Sequence, residues 1–535
     1  MTMKMTGGEA LVASLQQHGV EVIFGFPGNH TVPIYEALRR QQAIRHVLAR
    51  HEQGAAFMAD GYARSSGRVG VCVTTAGPGA TNTATAVAEA CSDCVPLVVL
   101  SAQVDTDMLG KGAYHDVDLA SVFRPITKWH ARAHRSAHIP ALLSQAFCVA
   151  QSPAAGPVHL ELPHDLLQAE DDIRIDPPIP PAAPDAPAAD IARAADVLRQ
   201  ARMPLLLAGG GVVSAGASEE LRELAERLGA PVATTCMGKG AIPDDHPLAV
   251  GVSQGTRARE YFELADVVLA IGCRFRQVST RGWSLPIRTL IHVDADPTAF
   301  GRSYTPELAI AADARRALEA LLECIPPQDQ AREWGWAAHL PAAPLEPGEG
   351  RDALHAQIAD QLRASLARDA VLCLDVCILS YRLIPRFAVT APRCVLYPAA
   401  FIAMGYGLPA AIGAKIAHPD RQVACVAGDG GFLMTGVELA TAVSENLTIP
   451  IIVFNDSCLQ SVKATHERSH DGHSFGVELE NPDFVAFAAS FGVDGCRVTE
   501  PEETHEAIQR AVNHDGCFLV EIVPPTAVVS DQWSA

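Results

Sequence analysis

Two stretches of this chain place residues where they could do chemistry together. They are Gly428-Asp-Gly-Gly-Phe432 and Asn455-Asp-Ser-Cys458, separated by a helical pattern from about Thr435 to Asn446 and the apolar run Ile449-Pro-Ile-Ile-Val-Phe454. At Gly430 and Gly431 the missing Cβ lets backbone N–H groups come close to phosphate oxygens. Asp429 follows the apolar run Val423-Ala-Cys-Val-Ala427, and Asp456 follows the next one. Two strands joined by a helix lie parallel, so both carboxylates emerge at one sheet edge. There a hard cation such as Mg²⁺ takes oxygen ligands and shares them with a diphosphate. Alone, Gly428-Asp-Gly430 reads as a tight turn between strand and helix; the carboxylate at the next strand end favours the metal reading.

A second set lies near the N-terminus. Glu52 sits in Arg50-His-Glu-Gln-Gly-Ala-Ala-Phe-Met-Ala-Asp-Gly-Tyr-Ala-Arg64, His30 ends Gly25-Phe-Pro-Gly-Asn-His30, His115 ends Lys111-Gly-Ala-Tyr-His115, and Thr75-Ala-Gly-Pro-Gly-Ala-Thr-Asn82 follows an apolar strand. Singly, a glutamate at a helix start is a solvated or capping charge, and each histidine is a surface or hydrogen-bonded residue. Met404, in Ala400-Phe-Ile-Ala-Met-Gly-Tyr-Gly-Leu-Pro409, is core filler on the same reasoning.

Together, and over nearly the whole chain, these segments resemble thiamine-diphosphate-dependent enzymes of the acetolactate synthase, 2-oxo acid decarboxylase and benzaldehyde lyase family. The resemblance implies thiamine diphosphate and Mg²⁺ as cofactors. Asp429 and Asp456 would hold the metal through side chains and Cys458 through its backbone carbonyl, with Gly430 and Gly431 at the diphosphate. Glu52 would activate the cofactor at its aminopyrimidine ring. Pro78 and Asn82 would lie near the pyrimidine, Ile402 would offer it a backbone carbonyl, and Met404 would wedge between the cofactor rings. His30 and His115 would approach the substrate carbonyl. The family more often carries Asn where Asp456 stands.

The resemblance also shows departures. Ala154, in Ala154-Ala-Gly-Pro157, stands where flavin-containing relatives have Arg, and Val278, in Arg274-Phe-Arg-Gln-Val278, stands where acetolactate synthases end an R-F-D-D-R run. Valine makes none of the bidentate charged contacts open to arginine, although Arg276 could compensate from a shifted position. Ser461-Val-Lys-Ala-Thr-His466 lacks the family's Trp. These changes count against FAD and against biosynthetic acetolactate synthesis. They leave a 2-oxo acid decarboxylase, or a carboligase that joins the product to an aldehyde as an acyloin. Pro27-Gly-Asn-His-Thr-Val-Pro-Ile-Tyr35 and Leu109-Gly-Lys-Gly112 point within the family to the branch with 5-guanidino-2-oxopentanoate decarboxylase. A true acetolactate synthase and a non-catalytic flavin- or nucleotide-binding member are the alternatives, the latter disfavoured by the presence of Glu52, Asp429 and Asp456.

Other motifs carry less. His466-Glu-Arg-Ser-His470 fits H-E-x-x-H, but Asp471-Gly472 ends the helix such a zinc site needs. Cys91-Ser-Asp-Cys94 has no second Cys or His pair and reads as packing beneath a helix end.

The elements that must position these residues follow from apolar runs alternating with amphipathic helical stretches, which predicts α/β architecture: three doubly wound domains with mainly parallel sheets. Breaks at the proline-rich Asp176–Pro187 and at about Pro326–Gly350 divide the chain into a pyrimidine-binding unit (residues 1–170), a central Rossmann-like unit (188–325) and a diphosphate-binding unit (351–535). With 535 residues, 48% hydrophobic and 19% charged, the chain can bury several cores. A net charge of −20 repels phosphate backbones and excludes nucleic acid as a partner. No stretch has the length and apolarity of a signal peptide or membrane span, and the 14 cysteines read as reduced thiols, so a cytoplasmic location is expected. By resemblance the chain self-associates, as a dimer at minimum and as a tetramer by the family pattern.

Overall fold

The computed structural model describes residues 2–327, 336 and 351–525. Three six-stranded sheets dominate it, each all parallel and covered by helices. Their strands are short Val, Leu and Ile runs buried on both faces, the pattern expected where helices lie on either side. In space the first sheet runs Arg45–Leu48, Val22–Phe26, Gly70–Thr74, Leu97–Gln103, Pro157–Pro163, Trp129–Arg132. The third runs Val395–Leu396, Val371–Leu374, Val423–Gly428, Pro450–Phe454, Phe518–Ile522, Asp494–Val498. Both therefore have the strand order 2-1-3-4-6-5. The central sheet runs Ala249–Val252, Val232–Thr234, Pro204–Ala208, Val267–Ile271, Leu290–Asp294, Leu308–Ala311, which is the Rossmann order 3-2-1-4-5-6. One antiparallel pair, Met3–Thr6 with Glu170–Ile173, stands apart from the sheets.

The first and third domains share a continuous core in which helix Glu52–Ser66 lies on helix Gly407–Ala417. Glycine makes this crossing close. A Cβ at Gly61 would stand 2.3 Å from the Ala410 carbonyl oxygen, and one at Gly413 would stand 1.9 Å from that of Met58. Beneath it, Arg64 donates to Asp60 (2.6 Å), Asp93 (2.9 Å) and the Tyr397 carbonyl (3.0 Å), while Tyr406 donates to Asp60 (3.0 Å). The central domain has its own core.

Residues 174–187 carry no helix or strand, and helix Ala188–Gln200 follows. The break expected at Pro326–Gly350 lies outside the described residues, apart from 326–327 and Trp336. One element differs from expectation. The helix after Gly428 begins at Asp429 and ends at Thr435, a 3₁₀ turn covers Gly436–Glu438, and a second helix spans Leu439–Ser444. The turn fits Gly436 between the rings of Phe432 and Phe487 and buries the Glu438 carboxylate against the first domain.

Candidate active site

The metal-binding candidates sit at adjacent strand ends. Gly428 pairs with Phe454, so Asp429 and Asp456 leave the same edge of the third sheet. Asp429 is buried; its Oδ1 accepts from Gly430 N (2.8 Å), its Oδ2 from Asn481 Nδ2 (2.7 Å), and burial raises its pKa. Asn481 also donates to Asn455 Oδ1 (2.9 Å), and Asn455 donates to Glu521 Oε1 (2.7 Å). Burial pushes the Cys458 thiol up to about 11, which disfavours a thiolate and leaves the backbone carbonyl as this residue's hard donor atom. Among the described residues no three His, Cys, Asp or Glu side chains converge as metal ligands. Two carboxylates, a carbonyl and ligand oxygens form a hard donor set that fits Mg²⁺ held with a diphosphate. A Cβ on Gly430 would stand 3.6 Å from Met404 Cε, which places Met404 beside the same loop.

The Ile402–Met404 segment is held from two sides. Asp375, directly after strand Val371–Leu374, accepts from Gly405 N (3.0 Å), Gly407 N (2.8 Å) and Val376 N (2.7 Å); burial pushes its carboxyl up to about 6. From the first domain, Glu89 accepts from Ala403 N (2.9 Å) and Asp93 from Ala399 N (2.8 Å). Between these anchors Ile402 is held at φ +64°, a left-handed conformation costly for a β-branched residue.

The first sheet gathers the other candidates at its own C-terminal edge. His51 caps helix Glu52–Ser66 at its N-terminus, and Glu52, 9% exposed, accepts from Asn82 Nδ2 (2.9 Å) through Oε2. Pro78 opens the short helix Pro78–Asn82, and a Cβ on Gly79 would approach Glu52 Oε1 to 3.1 Å. His115 lies against Gly77, and the His30 ring stands 5.3 Å from Tyr114, 5.4 Å from His115 and 5.9 Å from His164. His30 Nδ1, His115 Nδ1 and Thr75 Oγ1 are buried without a hydrogen-bond partner among the described residues. Burial, then His115 and His164, lower the His30 pKa, and Asp105 opposes them. Three buried unsatisfied polar atoms at one edge are what a site built for a polar ligand leaves open.

The structure thus brings Glu52, His30, His115, Pro78 and Asn82 together in one group, and Asp429, Asp456, Cys458, Gly430, Gly431, Ile402 and Met404 in another. Glu438 links them, accepting from Arg50 N (3.1 Å) and His51 N (3.0 Å) beside Glu52. Sequence reasoning missed Asp375, Asn481, Glu438, Glu89 and His164. Asp375 carried the signal used for Asp429, an acid ending an apolar strand; Glu89 lies in an Ala-rich helix whose pattern marks no site.

The remaining motifs separate from this site. Helix Gln460–Ser469 stops before His470, and His466 and His470 meet ring to ring at 6.0 Å on the surface. Cys94 caps the helix Ala84–Asp93 that carries Cys91, and burial raises both thiol pKa values. A cavity of about 360 Å³ between the domains is lined by Ala154, Gly210, Gly211, Arg274, Arg276 and Asp294, among others, and by none of the candidate catalytic or metal-binding residues. Arg276 reaches this cavity and donates to the Ser92 carbonyl (3.0 Å), while Val278 is not in the lining.

Comparison with known proteins defines the class. The N-terminal TPP binding domain of thiamine pyrophosphate enzymes matches residues 5–122, their central domain 191–321, and their C-terminal TPP binding domain 380–522. The chain belongs to the thiamine pyrophosphate enzymes, in the group of acetolactate synthase-like enzymes and 2-oxo acid decarboxylases, as a lyase or transferase. A "Probable 2-ketoarginine decarboxylase" of Pseudomonas aeruginosa is 39% identical, covering 97% of this chain and 94% of that one. A "Probable acetolactate synthase large subunit" of Methanocaldococcus jannaschii is 36% identical, covering 97% and 92%. The "Acetolactate synthase isozyme 1 large subunit" of Escherichia coli K12 is 34% identical, covering 97% and 94%.

Proposed function

We propose that this enzyme decarboxylates a 2-oxo acid with thiamine diphosphate and Mg²⁺, and that 5-guanidino-2-oxopentanoate represents its substrate class. The observation that carries the reading is the group of Glu52, His30 and His115 with unsatisfied imidazole nitrogens at one sheet edge, in a chain that also presents Asp429 and Asp456 at another. Thiamine diphosphate, when bound, supplies a carbon nucleophile and an electron sink. Asp429, Asp456 and the Cys458 carbonyl would hold Mg²⁺, and the Gly430 and Gly431 amides would meet the diphosphate. Met404 and the Ile402 carbonyl would orient the cofactor rings, with Pro78 and Asn82 on the pyrimidine side. Glu52 exchanges a proton with the pyrimidine nitrogen, and Asn82 fixes its carboxyl group. His30, whose pKa burial lowers, and His115 move protons at the substrate oxygen and product carbon. Attack on an aldehyde in place of protonation gives an acyloin as the second outcome.

Acetolactate synthesis is the competing reading, favoured by the names of several relatives. Ala154 and Val278, where the resemblance to flavin-containing acetolactate synthases leads one to expect Arg, support the decarboxylase instead and leave FAD out of the proposal. Exposed apolar side chains at both edges, Leu48, Met108 and Tyr114 at one and Phe401, Met434 and Phe475 at the other, support self-association as a dimer or larger assembly. Fourteen free cysteines support a cytoplasmic location.

The test is CO₂ release from a panel of 2-oxo acids by dialysed protein, with thiamine diphosphate and Mg²⁺ restored. Glu52→Gln should lower turnover about 100-fold or more while leaving the thermal melt unchanged. Equal turnover by the variant would reject the assigned role.

A further inference from the structure

The proposed proton transfers leave one carboxylate at this edge unused. Asp105 follows strand Leu97–Gln103 by two residues, and the pairing of Gln103 with Pro163 sets it beside Pro163-His164-Asp165. Its backbone is fixed on both sides. Gln103 donates to the Val117 carbonyl (3.0 Å) and Glu161 Oε1 (3.0 Å) and accepts from Val104 N (2.8 Å), and Thr106 gives its N–H (3.0 Å) and hydroxyl (2.6 Å) to Asp165. The neighbouring acids are occupied: Asp165 by Thr106, Asp116 by Gly110 N (2.8 Å), Asp118 by Ser121. Asp107 is exposed to water. Asp105 is half-buried, and among the described residues its carboxylate has no hydrogen-bond or ion-pair partner, although its charge is felt at His30. A carboxylate without a protein partner is available as the counter-ion of a ligand cation. The adjacent ring independently points to a ligand, since His30 is only 6% exposed and its Nδ1 is unpartnered.

We propose that Asp105 selects the substrate by pairing with a cationic end of its side chain, a guanidinium or ammonium group, while the 2-oxo acid end lies among His30, His115 and Glu52. This assignment rests on the decarboxylase reading given above. Guanidinium suits it, because its planar N–H groups engage a carboxylate through two parallel hydrogen bonds.

The experiment compares kcat/KM for 5-guanidino-2-oxopentanoate and its neutral isostere 5-ureido-2-oxopentanoate in the holoenzyme, Asp105→Asn, Asp105→Ser and Asp105→Glu. The wild type should favour the guanidino acid by about 30-fold or more. That ratio should collapse to within about threefold in the Asn and Ser variants, mainly through KM, and a cation preference should persist in the Glu variant. An effect of Asp105 on His30 alone would slow both substrates equally and keep the ratio. A ratio unchanged by Asp105→Asn or Asp105→Ser, or a wild type that decarboxylates both acids alike, overturns the assignment and leaves the decarboxylase reading intact. No CO₂ from either acid, with rapid acetolactate formation from pyruvate, overturns both.

Discussion

At the scale of single residues, buried acids acting as hydrogen-bond acceptors hold the candidate site in shape. Asp375 gathers three backbone N–H groups around the Ile402–Met404 segment, and burial outweighs them to place its carboxyl pKa at about 6 against an ordinary 3.8. A raised acid binds its proton more tightly in the folded state. Its contribution to stability is therefore fully present below pH 3.8 and is lost as pH rises through about 6, a span worth about 3 kcal/mol. Asp375→Asn cannot titrate, so the difference in melting temperature between wild type and variant should shift against the wild type from pH 4 to pH 7. A pH-independent difference would contradict the assignment. Asparagine also turns an NH₂ toward the glycine amides, and the variant should be less stable than wild type at pH 4, where both side chains are neutral.

At the scale of elements, the helix pair Glu52–Ser66 and Gly407–Ala417 ties Glu52's helix to the loop that carries Met404. Gly413→Val would drive a side chain into the Met58 carbonyl, where the space is bounded by backbone. The expected cost is about 2–3 kcal/mol or more, read as a lowered melting temperature in calorimetry; an unchanged melt would show that the crossing is not tight. The strands that carry the site were readable because each is an apolar run with Gly or an acid at its end or within two residues beyond it: Val371–Leu374, Val423–Gly428 and Pro450–Phe454 lie within a residue of where the pattern puts them. The helix after Gly428 was not readable, because its interruption at Gly436–Glu438 answers to Phe487 and to the Arg50 and His51 amides, partners distant in sequence. Asn481 and His164 were missed for the same reason. Their relevance comes from Asp429 and His30, which only the fold brings to them.

At the scale of the whole molecule, two domains of identical strand order present complementary chemistry, Glu52 and imidazoles on one edge and carboxylates with glycine amides on the other, beside a central domain of Rossmann order. That division explains why family membership follows from architecture and a few strand-end residues, while the proposed substrate selection lies in loops such as the one holding Asp105 and His115. We propose that this architecture serves decarboxylation of a substituted 2-oxo acid rather than condensation of two pyruvates. The most direct measurement is the stoichiometry and product mass of purified holoenzyme with 5-guanidino-2-oxopentanoate and, separately, with pyruvate. One CO₂ and one guanidino aldehyde per substrate consumed, with slow pyruvate turnover, is the predicted result; rapid consumption of two pyruvates per CO₂ with acetolactate as product would contradict it.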